Sequence, residues 1–301
     1  MFKLNSHSFY QTYFGHNIND LRHLYDNLKQ QNKKSFIFLA GDSSLDNKYW
    51  LGSNSYKDAV NGYETTLEPA KMKPDIAYHL NNLLIKVNPM ISAINCAVEE
   101  STLQQRCSKP SKFNPNAGLL PQDKFIRDNI TEDDILIVSV GGNDIALKPS
   151  FKTIWNMSTL VYFNSKETIE KGPEYAYGLP YFTNMFHKDV ENYINQLTSK
   201  AKPKKIMVCM IYYPDTHVTG SWADRTLGYL GYNKDSTKLK LAIQQIFKYG
   251  TSNVKIENCE TIPFPMFVVL DGSNTEDYVE RVEPSSKGGK KLAVSFLKNL
   301  L

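Results

Sequence analysis

With 41% hydrophobic and 22% charged residues among 301, the chain has the balance of an ordinary globular protein with a sizeable core. Its 35 basic and 31 acidic residues are spread along the chain, so a net charge of +4 makes no strong field for nucleic acid or an anionic membrane. Four scattered cysteines without CxxC or CxxH spacing, and no apolar stretch near the ~20 residues of a membrane span, argue against a disulfide framework, a zinc site and a membrane anchor.

The N-terminal MFKLNSHSFYQTYF lacks the apolar run of a secretory signal, which sets the expectation of a soluble, cytoplasmic protein. A helix-like segment at 17–31 precedes the first apolar run, SFIFLAG at 35–41. A helix over 74–87 leads to MISAINCAV at 90–98, and another at 122–130 to DILIVSVGG at 134–142. A helix over 183–200 precedes KIMVCMIYY at 205–213, one over 236–249 precedes MFVVLDG at 266–272, and a last helix spans 286–300. The five runs are apolar on successive residues rather than alternating, which marks strands buried on both faces of a parallel sheet. Strands alternating with helices predict an α/β fold, a three-layer α/β/α sandwich around a five-stranded parallel sheet. One domain over 1–301 is expected, with long insertions at 44–89 and 145–203, the second rich in aromatic residues. In the last helix Ser285 is the N-cap candidate, and Leu292, Phe296, Leu297 and Leu300 form one stripe.

Ligands of an open parallel sheet bind beyond the C-terminal strand ends, so the residues that follow each run matter most. After the first run comes Gly41-Asp42-Ser43, which reads either as a tight turn with a helix cap or as a nucleophile on that turn. After the third comes VSVGGNDIAL, where the Asn143 amide and the backbone N–H groups of Gly141 and Gly142 suit a developing oxyanion. Asn143 and Asp144 read equally as groups that satisfy a strand-ending turn.

The two blocks together, each at a strand end, resemble the SGNH (GDSL-type) hydrolase superfamily. The resemblance extends over the element order of the chain and implies a flavodoxin-like sheet. It implies Ser43 as nucleophile, with Asn143 and the Ser43 N–H as oxyanion donors, and Asp42, Gly141, Gly142 and Glu100 around the substrate. Two blocks depart from the family pattern. INCAVEEST carries Glu100 where a glycine usually supplies a further N–H. DYVERVEPSSKGG puts Glu283 where the base histidine belongs and Glu280 where the aspartate belongs.

A serine hydroxyl needs a partner to take its proton, and imidazole, with a reference pKa of about 6.5, suits that better than a glutamate near 4.3 unless burial raises the carboxyl. Among the six histidines His217 alone follows a strand end, in IYYPDTHVTG, so His217 with Asp215 is one candidate base and Glu283 the other. The bland alternatives are a surface-loop histidine, and a local charge network of Glu280, Arg281 and Glu283. The resemblance implies a serine ester hydrolase acting on a small-molecule, lipid or carbohydrate ester without a cofactor. The alternative is a catalytically silent protein of the same fold that binds a ligand or a partner chain.

Overall fold

The computed structural model describes residues 2–108, 112 and 117–301, and four of the five apolar runs become strands of one sheet. The strands are β1 (Ser35–Gly41), β2 (Ile91–Asn95), β3 (Ile135–Ser139), β4 (Lys205–Met210) and β5 (Glu260–Pro265). They lie in the order β2-β1-β3-β4-β5, parallel throughout. The principal helices are α1 (Ile18–Gln30), α2 (Ile76–Val87), α3 (Pro121–Asn129), α4 (Gly142–Ala146), α5 (Phe151–Tyr162), α6 (Leu179–Asn184), α7 (Val190–Leu197), α8 (Asp224–Tyr229), α9 (Thr237–Tyr249) and α10 (Ser286–Leu300).

Successive side chains of a strand point to opposite faces, and both faces are buried here. In β1, Ile37 and Leu39 join a cluster with α2 and α10, while Phe36, Phe38 and Ala40 join one with α1, α3, α7 and α9. The result is a three-layer α/β/α sandwich with helices on both faces of the sheet. The α10 stripe is as expected: Leu292, Phe296, Leu297 and Leu300 are buried, and Ser285 caps the helix by accepting from the Gly288 N–H (3.1 Å). Among the described residues no helix is long and apolar enough to cross a membrane.

The fifth strand lies one run earlier than expected. It is ETIPFP, an edge strand that among the described residues is bonded only to β4 and is mostly half-buried, and an edge tolerates Pro263 and Pro265 where a central strand would not. MFVVLDG instead opens with a 3₁₀ turn at Met266–Val268 that drops Met266 and Leu270 into the core. The helix expected at 183–200 is divided by a π-helical turn, Met185–Asp189, into α6 and α7. Within 145–203, Met157, Leu160 and Ile169 pack inward while Phe151, Trp155, Phe163 and Tyr177 remain exposed.

Arg106 ties the strand ends to the helical layer. Its fully buried guanidinium donates to Gly41 O (2.8 Å) and Ser101 Oγ (2.9 Å), and also binds Asp123 and the Tyr193 hydroxyl. Breaking a buried ion pair strands the remaining charge. Arg106→Leu is therefore expected to lower unfolding free energy by about 3–5 kcal/mol, whereas Arg127→Leu on the surface changes it by less than about 0.5 kcal/mol, both read from urea denaturation.

Candidate active site

Ser43 follows β1 at the point where the sheet order reverses between β1 and β3, where diverging connections leave a crevice. Gly41 ends the strand, and a Cβ there would lie 2.2 Å from the Ser139 carbonyl oxygen, so the close approach of β1 to the β3 end requires glycine. Asp42 then fastens the turn. Its carbonyl accepts from the N–H groups of Leu45 and Asp46 (3.1 and 3.0 Å), and its Oδ1 accepts from the Ser44 N–H and hydroxyl (3.0 and 2.7 Å). Asp42 thus does the capping that a bland reading gives to Ser43. Among the described residues the Ser43 N–H has no acceptor.

The loop after β2 packs alongside. Ser101 Oγ donates to Gly41 O (3.2 Å), and Glu100 adopts φ +56°, the left-handed conformation in which glycine is usual. The Glu100 N–H also lacks an acceptor among the described residues. Its carboxylate is engaged elsewhere, by Lys148 Nζ (2.8 Å) and the Tyr13 hydroxyl (2.9 Å), and the Lys148 hydrogen bond holds it below the ordinary range. After β3, Gly141 (φ +102°) caps α4 and Gly142 opens it. Asn143 donates one amide N–H to Ser101 O (3.0 Å), leaving the other without an acceptor among the described residues. Asp144 caps the short helix Leu103–Cys107, accepting from the N–H groups of Leu103 and Gln104 (2.7 and 2.9 Å).

Glu283 arrives from the far end of the sequence. Residues 278–279 and 283–284 form a short antiparallel ribbon, turned by Glu280 and Arg281 in left-handed conformations (φ +50° and +65°). The ribbon is fixed by the Ser285 N–H, which donates to Asp277 O (2.9 Å) at the start of α10. Glu283 is 4% exposed, and among the described residues its Oε2 has no hydrogen-bond partner. Burial pushes its carboxyl above the ordinary glutamate range, the nearby Ser43 side chain opposes that shift, and the charges of Asp42, Asp46 and Glu280 add to it. Arg281 gives Glu283 no counter-charge. Its buried guanidinium holds Asp224 Oδ1 (2.7 Å), Asn233 Oδ1 (2.8 Å) and Asp215 O (2.8 and 3.1 Å).

A second buried carboxyl stands beside the first, and no motif spacing marks it in the sequence. Glu99 accepts from Trp50 Nε1 (2.8 Å) at Oε1, while its Oε2 has no partner among the described residues. Burial, then the charges of Glu283 and Asp46, raise its pKa as well. The nearest cation is already taken: Lys48 Nζ lies 2.6–2.7 Å from both oxygens of Asp46, and both side chains are fully buried.

Ser43, Asp42, Gly142, Asn143 and Glu283 share the wall of one cavity, which includes none of the six histidines. The His217 side chain is 61% exposed, with its Nδ1 at 2.9 Å from Asp215 Oδ1 and 3.0 Å from Thr275 Oγ1. His217 pairs with Asp215 but is turned to the Thr275 loop rather than toward Ser43 and the cavity.

No protein-family model and no curated protein sequence matches the chain. Solved structures similar to it include a variant of an acetyl xylan esterase from Geobacillus stearothermophilus, 14% identical over 87% of this chain and 93% of that chain, with a TM-score of 0.42. Others are the inhibitor-bound aryl esterase of M. smegmatis (13%, 89% and 98%, TM-score 0.44) and an extracellular lipase from Streptomyces rimosus (11%, 88% and 99%, TM-score 0.40).

A carboxyl whose folded pKa is raised stabilises the fold fully below the unfolded value, and that contribution is lost as pH rises through the folded value. Glu99→Gln removes one such group and keeps an acceptor for Trp50. The variant is expected to match the wild type near about pH 5 and to lose stability less steeply above it, by about 1.4 kcal/mol per pH unit, in urea titrations across pH.

Proposed function

We propose that the chain is an ester hydrolase of SGNH-like type in which Ser43 is the nucleophile and the Glu283 carboxylate stands in for imidazole. The observation that carries this reading is the Glu283 carboxyl, buried, sharing one cavity wall with Ser43 and, among the described residues, paired with no cation. Burial is what turns a weak base into a useful one: it destabilises the carboxylate and so strengthens its pull on the Ser43 proton.

In the first step Ser43 Oγ attacks the ester carbonyl carbon while its proton passes to Glu283. The carbonyl oxygen becomes an oxyanion, held by the N–H groups of Ser43 and Glu100 and the second amide N–H of Asn143, all without acceptors among the described residues. Collapse of the tetrahedral intermediate breaks the bond to the leaving alkoxide, which takes the proton from Glu283. Water then gives a proton to Glu283 as its oxygen attacks the acyl-enzyme. Collapse of this second intermediate expels Ser43 Oγ, which recovers the proton, and the carboxylic acid leaves. The net reaction is ester plus water to acid plus alcohol. His217 has no part in it, and the Glu100 side chain, tied to Lys148, contributes only its backbone.

Since the reactive form of Glu283 is the deprotonated one, kcat/KM is expected to rise with pH along one ionisation lying above the ordinary glutamate range. Ser43→Ala and Glu283→Gln are each expected to reduce hydrolysis of p-nitrophenyl acetate by about 10³-fold or more, and His217→Ala to leave it within about 2-fold. Wild-type turnover no faster than that of Ser43→Ala would instead mark a silent binding protein.

A further inference from the structure

The cavity beside Ser43 is chemically two-ended. Most of its polar groups, those of Asp42, Ser43, Ser44, Asn143 and Glu283, gather where β1, α4 and the Glu283 ribbon meet, while Trp222 and Thr226 stand on the helical side. Beyond them the walls come from four helices and are almost wholly apolar: Met157 and Leu160 of α5, Phe182 of α6, Leu227 of α8, and Ile243 and Ile246 of α9. Among the described residues no lysine, arginine or histidine lines it. The Tyr212 hydroxyl, which also reaches the wall, is already donated to Val282 O (2.5 Å). A sugar or a charged headgroup seated among these helices would lose its hydration and find almost no donors or acceptors, whereas a hydrocarbon chain loses nothing there.

We infer that this apolar end is a binding site for the aliphatic acyl chain of the ester, with a preference for medium-length or longer unbranched chains. The inference rests on the reading of Ser43 as nucleophile, which fixes which part of the ester remains. The acyl group stays bonded to Ser43 through both steps, while the alcohol must leave and water must enter by Glu283. A chain seated among α5, α6, α8 and α9 satisfies this order: it fills the apolar end and leaves the polar end as the route for alcohol and water. An apolar alcohol in the same place would have to withdraw past the acyl-enzyme before deacylation began.

The test has a catalytic arm and a binding arm. In the first, kcat/KM is measured for p-nitrophenyl esters from acetate to octanoate, with octyl acetate as the chain-on-alcohol control. The expected result is a rise of about 10-fold or more from acetate to octanoate, with a smaller gain for octyl acetate. Ile243→Trp, which fills the apolar end, is expected to collapse the octanoate-to-acetate ratio, and Met157→Trp on the facing helix serves if the first variant fails to fold. A flat or falling acyl profile, or a chain preference only on the alcohol side, overturns the inference.

In the second arm, octanoate is titrated calorimetrically into Ser43→Ala protein, where no turnover is needed. Saturable binding that Ile243→Trp abolishes is expected. If wild-type turnover does not depend on Ser43 but octanoate still binds in this way, the hydrolase reading fails and the chain site stands. Absence of octanoate binding to a folded Ser43→Ala protein overturns the chain site, whatever the esterase assay shows.

Discussion

A carboxyl group held out of water without a counter-charge is the constraint on which the rest of the site depends. Transferring a lone carboxylate into a protein interior costs several kcal/mol, and proteins meet that cost with a cation, hydrogen bonds or a bound proton. For Glu283 the first is missing among the described residues. Lys48 is committed to Asp46, Arg281 to Asp224 and the Asp215 carbonyl, and Lys148 to Glu100. The neighbouring acids Asp42, Asp46 and Glu99 add repulsion. What remains is a bound proton or a hydrogen bond, and the Ser43 hydroxyl on the same cavity wall is a group that can donate one.

The fold holds this unfavourable arrangement with backbone devices. Gly41 lets β1 and β3 close to the distance at which the Asp42 N–H reaches Ser139 O (3.1 Å). Arg106 pins the carbonyl of Gly41 and the hydroxyl of Ser101, and Ser101 in turn orients Asn143 through its own carbonyl. One buried guanidinium therefore reaches, within two hydrogen bonds, the turn that bears Ser43 and the Asn143 amide. On the opposite side, the left-handed pair Glu280 and Arg281 reverses the chain so that Glu283 points inward while Arg281 anchors outward to Asp224. Ser43, Asn143 and Glu283 are each set by an element end rather than by a long flexible loop, which is where small geometric errors would cost most.

Much of this was legible in the sequence, for a physical reason. Central strands of a parallel sheet are buried on both faces, so SFIFLAG and DILIVSVGG announce themselves, and with them the turns that carry Ser43 and Asn143. The edge strand ETIPFP did not, because an edge needs neither continuous apolarity nor every N–H. Glu283 was legible through Pro284 and the glycines that open α10, but its environment was not, since burial and the absence of a cation depend on contacts distant in the chain. Glu99 was invisible for the same reason: nothing in INCAVEEST separates the glutamate that turns in toward Trp50 from the one that turns out toward Lys148. His217 shows the converse. Its place after β4 made it a candidate base, yet the side chain is fixed by Asp215, two residues before it, and by Thr275, neither of which lines the cavity.

Chemical trapping of Ser43 isolates the proton-transfer step from substrate choice and product release. The rate at which a fluorophosphonate labels Ser43 across pH reports the group that activates it. The rate is expected to climb along a single ionisation above the ordinary glutamate range, to fall by about 10³-fold in Glu283→Gln, and to be unchanged in His217→Ala. Labelling of Ser43 at an equal rate in Glu283→Gln, or a rate lost in His217→Ala, would contradict the assignment of Glu283 as the base.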